Sequence, residues 1–133
     1  MENSTIFIVE DNEWYGEMLK HYLSLNPQFT ISLYNSGKSF IADIAKNPDI
    51  LILDYSLPDT TGTELFKKFR KIHAEIPVII ISAQEDVSTA VNLLKLGVTD
   101  YIVKNEATKE LLWNAVIKIK ENQSLRKEIQ NLR

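Results

Sequence analysis

Five short apolar runs, each followed by a stretch that can be helical, constrain this chain more than any other feature. The runs are TIFIV at 5–9, FTISLY at 29–34, ILIL at 50–53, PVIII at 77–81 and TDYIV at 99–103. The segment EDNEWYGEMLKHYLSL places Trp14, Met18, Tyr22 and Leu25 at helical spacing, and NPQ ends it. Ser36 can cap a helix over GKSFIADIAK, 37–46, which NPD terminates. Residues 62–73 read as helix with Leu65, Phe69 and Ile72 on one face. Residues 86–96 read as helix stopped by Gly97, and the chain is helical from Ala107 to its end. The uninterrupted ILIL run marks a strand covered on both faces. Strict βα alternation with short connections predicts an α/β fold with a parallel sheet between two helical layers. Right-handed crossovers limit its topology. Ligands of such sheets bind beyond the carboxyl ends of the strands, where the strand order switches.

The 133 residues suit one domain with a real core. With 44% hydrophobic and 25% charged residues, disordered and membrane classes are excluded. A net charge of -3 argues against direct nucleic-acid contact by this domain. The absence of cysteine excludes disulfides, thiolate catalysis and Cys-ligated zinc. The start of the chain lacks a basic segment followed by an apolar one, and no run is long enough to span a bilayer. The expectation is a cytoplasmic protein with no membrane partner.

Chemistry gathers at the strand ends. The first strand runs into Glu10 and Asp11, the third into Asp54, the fourth into Ser82 and the fifth into Lys104. In a five-stranded sheet of order 2-1-3-4-5, strands one, three, four and five are neighbours, so these groups converge on one edge. Taken singly, each has a plain reading: Asp11 as a helix cap, Ser82 and Lys104 as surface residues. Together they describe a site. Three acids at close quarters need a cation or a proton. Hard oxygen ligands suit Mg²⁺, which keeps waters and leaves room for a phosphoryl oxygen. None of the four glycines lies in a phosphate-cradling loop motif, so a small phosphoryl group rather than a nucleotide is expected.

The set Glu10-Asp11, Asp54-x-x-Leu57-Pro58-x-x-x-Gly62, Ser82-Ala83, and Gly97 followed by Asp100-Tyr101-x-x-Lys104 resembles the response-regulator receiver domains of two-component signalling. The resemblance covers residues 1 to about 120. It implies a flavodoxin-like, doubly wound three-layer α/β/α domain with strand order 2-1-3-4-5. It implies a signalling switch rather than an enzyme, with Asp54 accepting a phosphoryl group from a sensor histidine kinase or phosphotransfer protein. Mg²⁺ would be held by Asp11, Asp54 and the Ser56 backbone carbonyl, and by Glu10 through water. Lys104 and Ser82 would contact phosphoryl oxygens, small Ala83 would leave room for the group, and Ser82 and Tyr101 would form the switch. Ser56 and Gln84 would line the path of the hydrolytic water.

In one respect the chain departs from the family, in which proline usually follows the lysine, commonly after a cis bond. Here Asn105 follows, and a cis bond to a non-proline residue costs ~2.5–4 kcal/mol. A trans bond or a strained cis bond are both open to the sequence. Residues 121–133 form a charged helical extension toward an output domain absent from this chain. Asn122, Leu125, Ile129 and Leu132 fit the spacing of a coiled coil, which allows a homodimer, and equally a solvated helix tail. The tail resembles the linker of nitrogen-regulator-type transcriptional activators. Two rival readings are a pseudo-receiver that docks partners without phosphorylation, favoured by Asn105, and an Asp-nucleophile phosphohydrolase of the haloacid-dehalogenase type. The latter wants D-x-D on its first strand, whereas Asp54 heads D-Y-S on the third.

Overall fold

Apolar strands that bury both faces must sit in the middle of the molecule, and they do. In the computed structural model, which describes residues 3–83 and 86–132, β1 (Ser4–Val9), β2 (Phe29–Tyr34), β3 (Ile50–Asp54), β4 (Val78–Ser82) and β5 (Asp100–Val103) form one parallel sheet of order β2-β1-β3-β4-β5. Ile8 pairs with Leu33 and Ile52, Leu53 with Ile80, and Ile81 with Ile102. The helices are α1 (Glu13–Leu23), α2 (Gly37–Ile41), α3 (Gly62–Ile72), α4 (Val87–Leu96) and α5 (Thr108–Asn131).

Because strand side chains alternate, each strand feeds two cores. Ile6, Ile8, Ile52, Ile79 and Ile81 face α1 and α5, packing with Leu19, Leu23, Leu112, Val116 and Ile119. Phe7, Val9, Leu51, Leu53 and Ile80 face the other way, packing with Phe40, Leu65, Phe66, Phe69 and Leu93. Each fully buried aliphatic side chain contributes ~1.5–3 kcal/mol of transfer free energy.

Three helices differ from the expected pattern. The α1 cap is Asn12, whose side chain accepts from Tyr15 N at 3.0 Å. The sheet side of α1 is therefore Gly16, Leu19 and Leu23, flanked by Tyr15 and Met18, while Trp14 is 74% exposed and Leu25 lies beyond the helix end. In α3, Phe66 takes the core position expected of Ile72, which is exposed. The expected helix over 37–46 ends at Ile41. Beyond it the chain turns through i→i+3 bonds, Asp43 N to Phe40 O and Ile44 N to Ile41 O. Side chains hold this tighter path: Tyr34 OH donates to Asp43 at 2.8 Å, and His73 Nε2 lies 2.8 Å from Ile44 O. The Ser36 cap forms as expected, in a capping box with Ser39. Gly97, at φ 111°, ends α4 with Val98 N bonded to Leu93 O and Gly97 N to Leu94 O, the Schellman pattern. Among the described residues no helix is long and apolar enough to cross a membrane.

Candidate functional site

The sheet order brings the ends of β1, β3, β4 and β5 side by side, and the groups expected there meet. Glu10 and Asp54 are buried, 3% and 4% exposed, while Asp11 faces solvent. Carboxylate oxygens of all three lie within 4.8 Å of one another. Since Asn12 caps α1, Asp11 is not consumed as a helix cap. Lys104 reaches into the cluster: its Nζ is 2.6 Å from Glu10 Oε1 and 3.2 Å from Asp54 Oδ2, and it lies 4.7 Å from the centroid of the Tyr15 ring.

Three acids facing one ammonium leave a surplus of negative charge. Burial, then the contact with Asp54, raises the Glu10 carboxyl from 4.5 to about 7, against the lowering pull of Lys104. For Lys104, burial works against the charged form, but hydrogen bonding to Glu10 and the charge of Asp54 outweigh it and raise its pKa. A proton on Glu10 is one way to relieve the cluster, and a divalent cation is the other. Hard, closely spaced carboxylate oxygens, two buried and one at the surface, fit Mg²⁺ with part of its water shell. Glu10, Asp11 and Asp54 could hold it.

The loop after Asp54 is pinned. Gly62 N donates to Tyr55 O at 2.7 Å, and Ser56 bridges to Thr61. A Cβ on Gly62 would stand 3.0 Å from both Asp54 O and Tyr55 Cα, so glycine is what lets α3 begin against the strand end. Asp59 is one of the unassigned positions between Pro58 and Gly62 in the sequence motif. Its carboxylate accepts from Gly37 N at 3.0 Å and Lys38 N at 2.8 Å, fastening this loop to α2. These amides hold its carboxyl below the usual carboxylate range.

Ser82 is buried at the end of β4, and its backbone carbonyl accepts from Lys104 N at 2.7 Å. Tyr101 is half-buried on β5 against the core that holds Phe66 and Leu93. Ser56 and Ala83 are exposed, with Ser56 N 3.4 Å from Asp54 Oδ1. Gln84 lies outside the described residues. The Lys104–Asn105 bond is trans, as are all peptide bonds among the described residues. The loop takes its own path: Asn105 N donates to Thr108 Oγ1 at 2.7 Å, and Ala107 N to Asn105 Oδ1 at 2.8 Å.

Comparison with known proteins agrees with this geometry. The family model described as the response regulator receiver domain matches residues 6–116. Transcriptional regulatory protein CssR of Bacillus subtilis is 36% identical over 108 residues, covering 81% of this chain and 48% of CssR. Regulatory protein AtoC of Escherichia coli is 32% identical over 131 residues, 96% of this chain and 27% of AtoC. The chain thus spans about half the length of CssR and about a quarter of AtoC. Among solved structures, the signal receiver domain of a putative LuxO repressor protein from Vibrio parahaemolyticus superimposes with a TM-score of 0.86 at 26% identity, covering 96% of this chain and 97% of that one.

Proposed function

The chain belongs to the response regulator receiver domain family, and from that membership we propose a Mg²⁺-dependent switch in which Asp54 takes the phosphoryl group of a phosphohistidine. The donor is a sensor histidine kinase or a phosphotransfer protein. Asp54 itself carries the reading: a buried carboxylate at the end of β3, 3.2 Å from the Lys104 ammonium, with the Glu10 and Asp11 carboxylates beside it.

In the transfer, an Asp54 oxygen forms a bond to phosphorus as the phosphorus–nitrogen bond breaks, and the imidazole keeps the electron pair. The product is an acyl phosphate. Asp11, Asp54 and the Ser56 backbone carbonyl would hold the metal, and Glu10 would act through water. Bound there, Mg²⁺ offsets charge on the transferring group. Lys104 pairs with one phosphoryl oxygen, the Ser82 hydroxyl donates to another, and Tyr101 follows the movement of Ser82. Water attacking phosphorus opposite Asp54 ends the signal, with Ser56 and Gln84 beside its path. The domain promotes its own phosphorylation and dephosphorylation and is not an enzyme acting on a separate product.

Residues 1–120 form the receiver. Residues 121–133 lead to an output domain, and the regulatory names of CssR and AtoC support a transcriptional one. The exposed Leu125 and Ile129 on α5, with Leu132 at its end, support a homodimer. The setting is the cytoplasm. The contact of Lys104 with Asp54 favours phosphorylation over a docking role without it.

Incubation with acetyl phosphate and Mg²⁺ should add one phosphoryl group, mapped to Asp54 by intact mass and peptide analysis. Asp54→Asn should stay unmodified. Modification that persists in Asp54→Asn would overturn the assignment.

A further inference from the structure

Lys104 has the long, flexible stem of any lysine, yet its ammonium must sit at one point for phosphoryl transfer to use it. Two sets of contacts fix it. The first holds the backbone. Lys104 N donates to Ser82 O at 2.7 Å, and Thr108 Oγ1 donates to Val103 O at 3.0 Å while accepting from Asn105 N at 2.7 Å. The second holds the ammonium. Two of its directions point at Glu10 and Asp54, and the Tyr15 ring covers another at 4.7 Å. The side chain of Lys104 is only 20% exposed.

We propose that Tyr15 is a positioning residue for Lys104: its ring face holds the ammonium over the acidic cluster without accepting a hydrogen bond from it. This rests on the proposed role of Lys104 toward the phosphoryl group. A carboxylate at position 15 would compete with the phosphoryl oxygens for the ammonium, and an aliphatic side chain would not attract it. An aromatic face attracts a cation through its quadrupole, more strongly where water is partly excluded. The stem of Lys104 can then swing its N–H bonds from the Asp54 carboxylate to a phosphoryl oxygen while the ring stays beneath it. The hydroxyl of Tyr15 is buried toward Thr108 and makes no hydrogen bond of ordinary geometry among the described residues. The ring, not the hydroxyl, is the working part.

The metal-free, unphosphorylated protein tests the contact directly. In its NMR spectrum the ε-methylene protons of Lys104 should lie upfield of those of the surface lysines, shifted by the Tyr15 ring current. Tyr15→Phe should keep that shift and Tyr15→Leu should lose it. With acetyl phosphate and saturating Mg²⁺, phosphorylation of Tyr15→Leu should be about three- to tenfold slower, the range a partly desolvated cation–π contact supports. Tyr15→Phe should recover most of the rate. An unshifted Lys104 in the wild type overturns the proposal whether or not the variants fold, and so does a wild-type rate in Tyr15→Leu. If the wild-type protein takes no phosphoryl group, the proposed function fails, and the spectrum still decides the Tyr15–Lys104 contact.

Discussion

α3 and α4 are nearly equal in length and cover the same face of the sheet, yet they are held very differently. α3 buries Gly62, Leu65, Phe66 and Phe69, whereas α4 buries only Leu93. α4 is the more apolar of the two in sequence, but Val87, Val91, Leu94 and Leu96 face solvent. Arg70 acts mainly on the α3 side, with one longer bond, 3.4 Å, to Gly97 O at the end of α4. It lies over the Phe66 ring at 4.9 Å, donates to His73 O and Ile76 O at 3.0 and 2.8 Å, and so ties the end of α3 to the start of β4. Apolar composition makes a helix buriable. Only a neighbour of matching shape buries it. The helix behind Asp54 is a fixed floor, and the helix after Ser82 is held mainly by Leu93 and its two ends.

The sharpest way to break this comparison is to empty both helices. Phe69 is fully buried and stacks near Phe40 and His73, so Phe69→Ala should cost ~3–5 kcal/mol in urea unfolding. Leu94→Ala on α4 removes a half-exposed side chain and should change stability by ~0.5 kcal/mol or less. Equal losses would mean that α4 is packed as firmly as α3.

Gly62→Ala comes next. The added Cβ meets the backbone of Asp54 and Tyr55 at 3.0 Å, and backbone cannot rotate away. A loss of ~1–3 kcal/mol is expected. Acetyl-phosphate labelling at Asp54 should slow as well, because the strand end must move. Unchanged stability and labelling would show that α3 is not the floor of the site. On α4 the matching change is Gly97→Ala, which forces a φ of 111° on a residue with a Cβ and should cost ~1–2 kcal/mol. Hydrogen exchange should then rise along α4 and not along α3.

Much of this was legible beforehand because it lies in local pattern. The five strands announce themselves as apolar runs, and Glu10, Asp11, Asp54, Ser82 and Lys104 stand where those runs stop. The failures share one cause, contact between residues distant in sequence. Trp14 falls at helical spacing with Met18, Tyr22 and Leu25, but it is exposed, and Leu19 and Leu23 take the sheet side. Asp59 on the amides of Gly37 and Lys38, and Tyr15 under Lys104, follow from topology and leave no periodic trace. The early end of α2 is of the same kind, since residues 37–46 read as one capped helix while Tyr34 and His73 decide the path.

That last point yields the smallest test, on the third helix of the same face. Burial first, and then the Asp43 carboxylate beside it, raises the Tyr34 phenol from 10.0 to about 12. The fold therefore favours the protonated phenol, and this stabilisation is full below about 10 and lost as pH rises through about 12. Asp43 behaves in the opposite sense. The Tyr34 hydroxyl, ahead of Lys46, lowers its carboxyl below 3.8, so its contribution is full above that value and is lost as pH falls through the folded-state pKa. Asp43 is a surface group, so solvent screens the pair and the effect on stability is small. The informative readout is the titration itself. In Tyr34→Phe the Asp43 carboxyl carbon should titrate closer to 3.8 than in the wild type, and the amides of Asp43 and Ile44 should exchange faster. If Asp43 titrates identically in both proteins, Tyr34 does not hold the turn, and the end of α2 rests on the contact of His73 with Ile44 and on the turn's own backbone bonds.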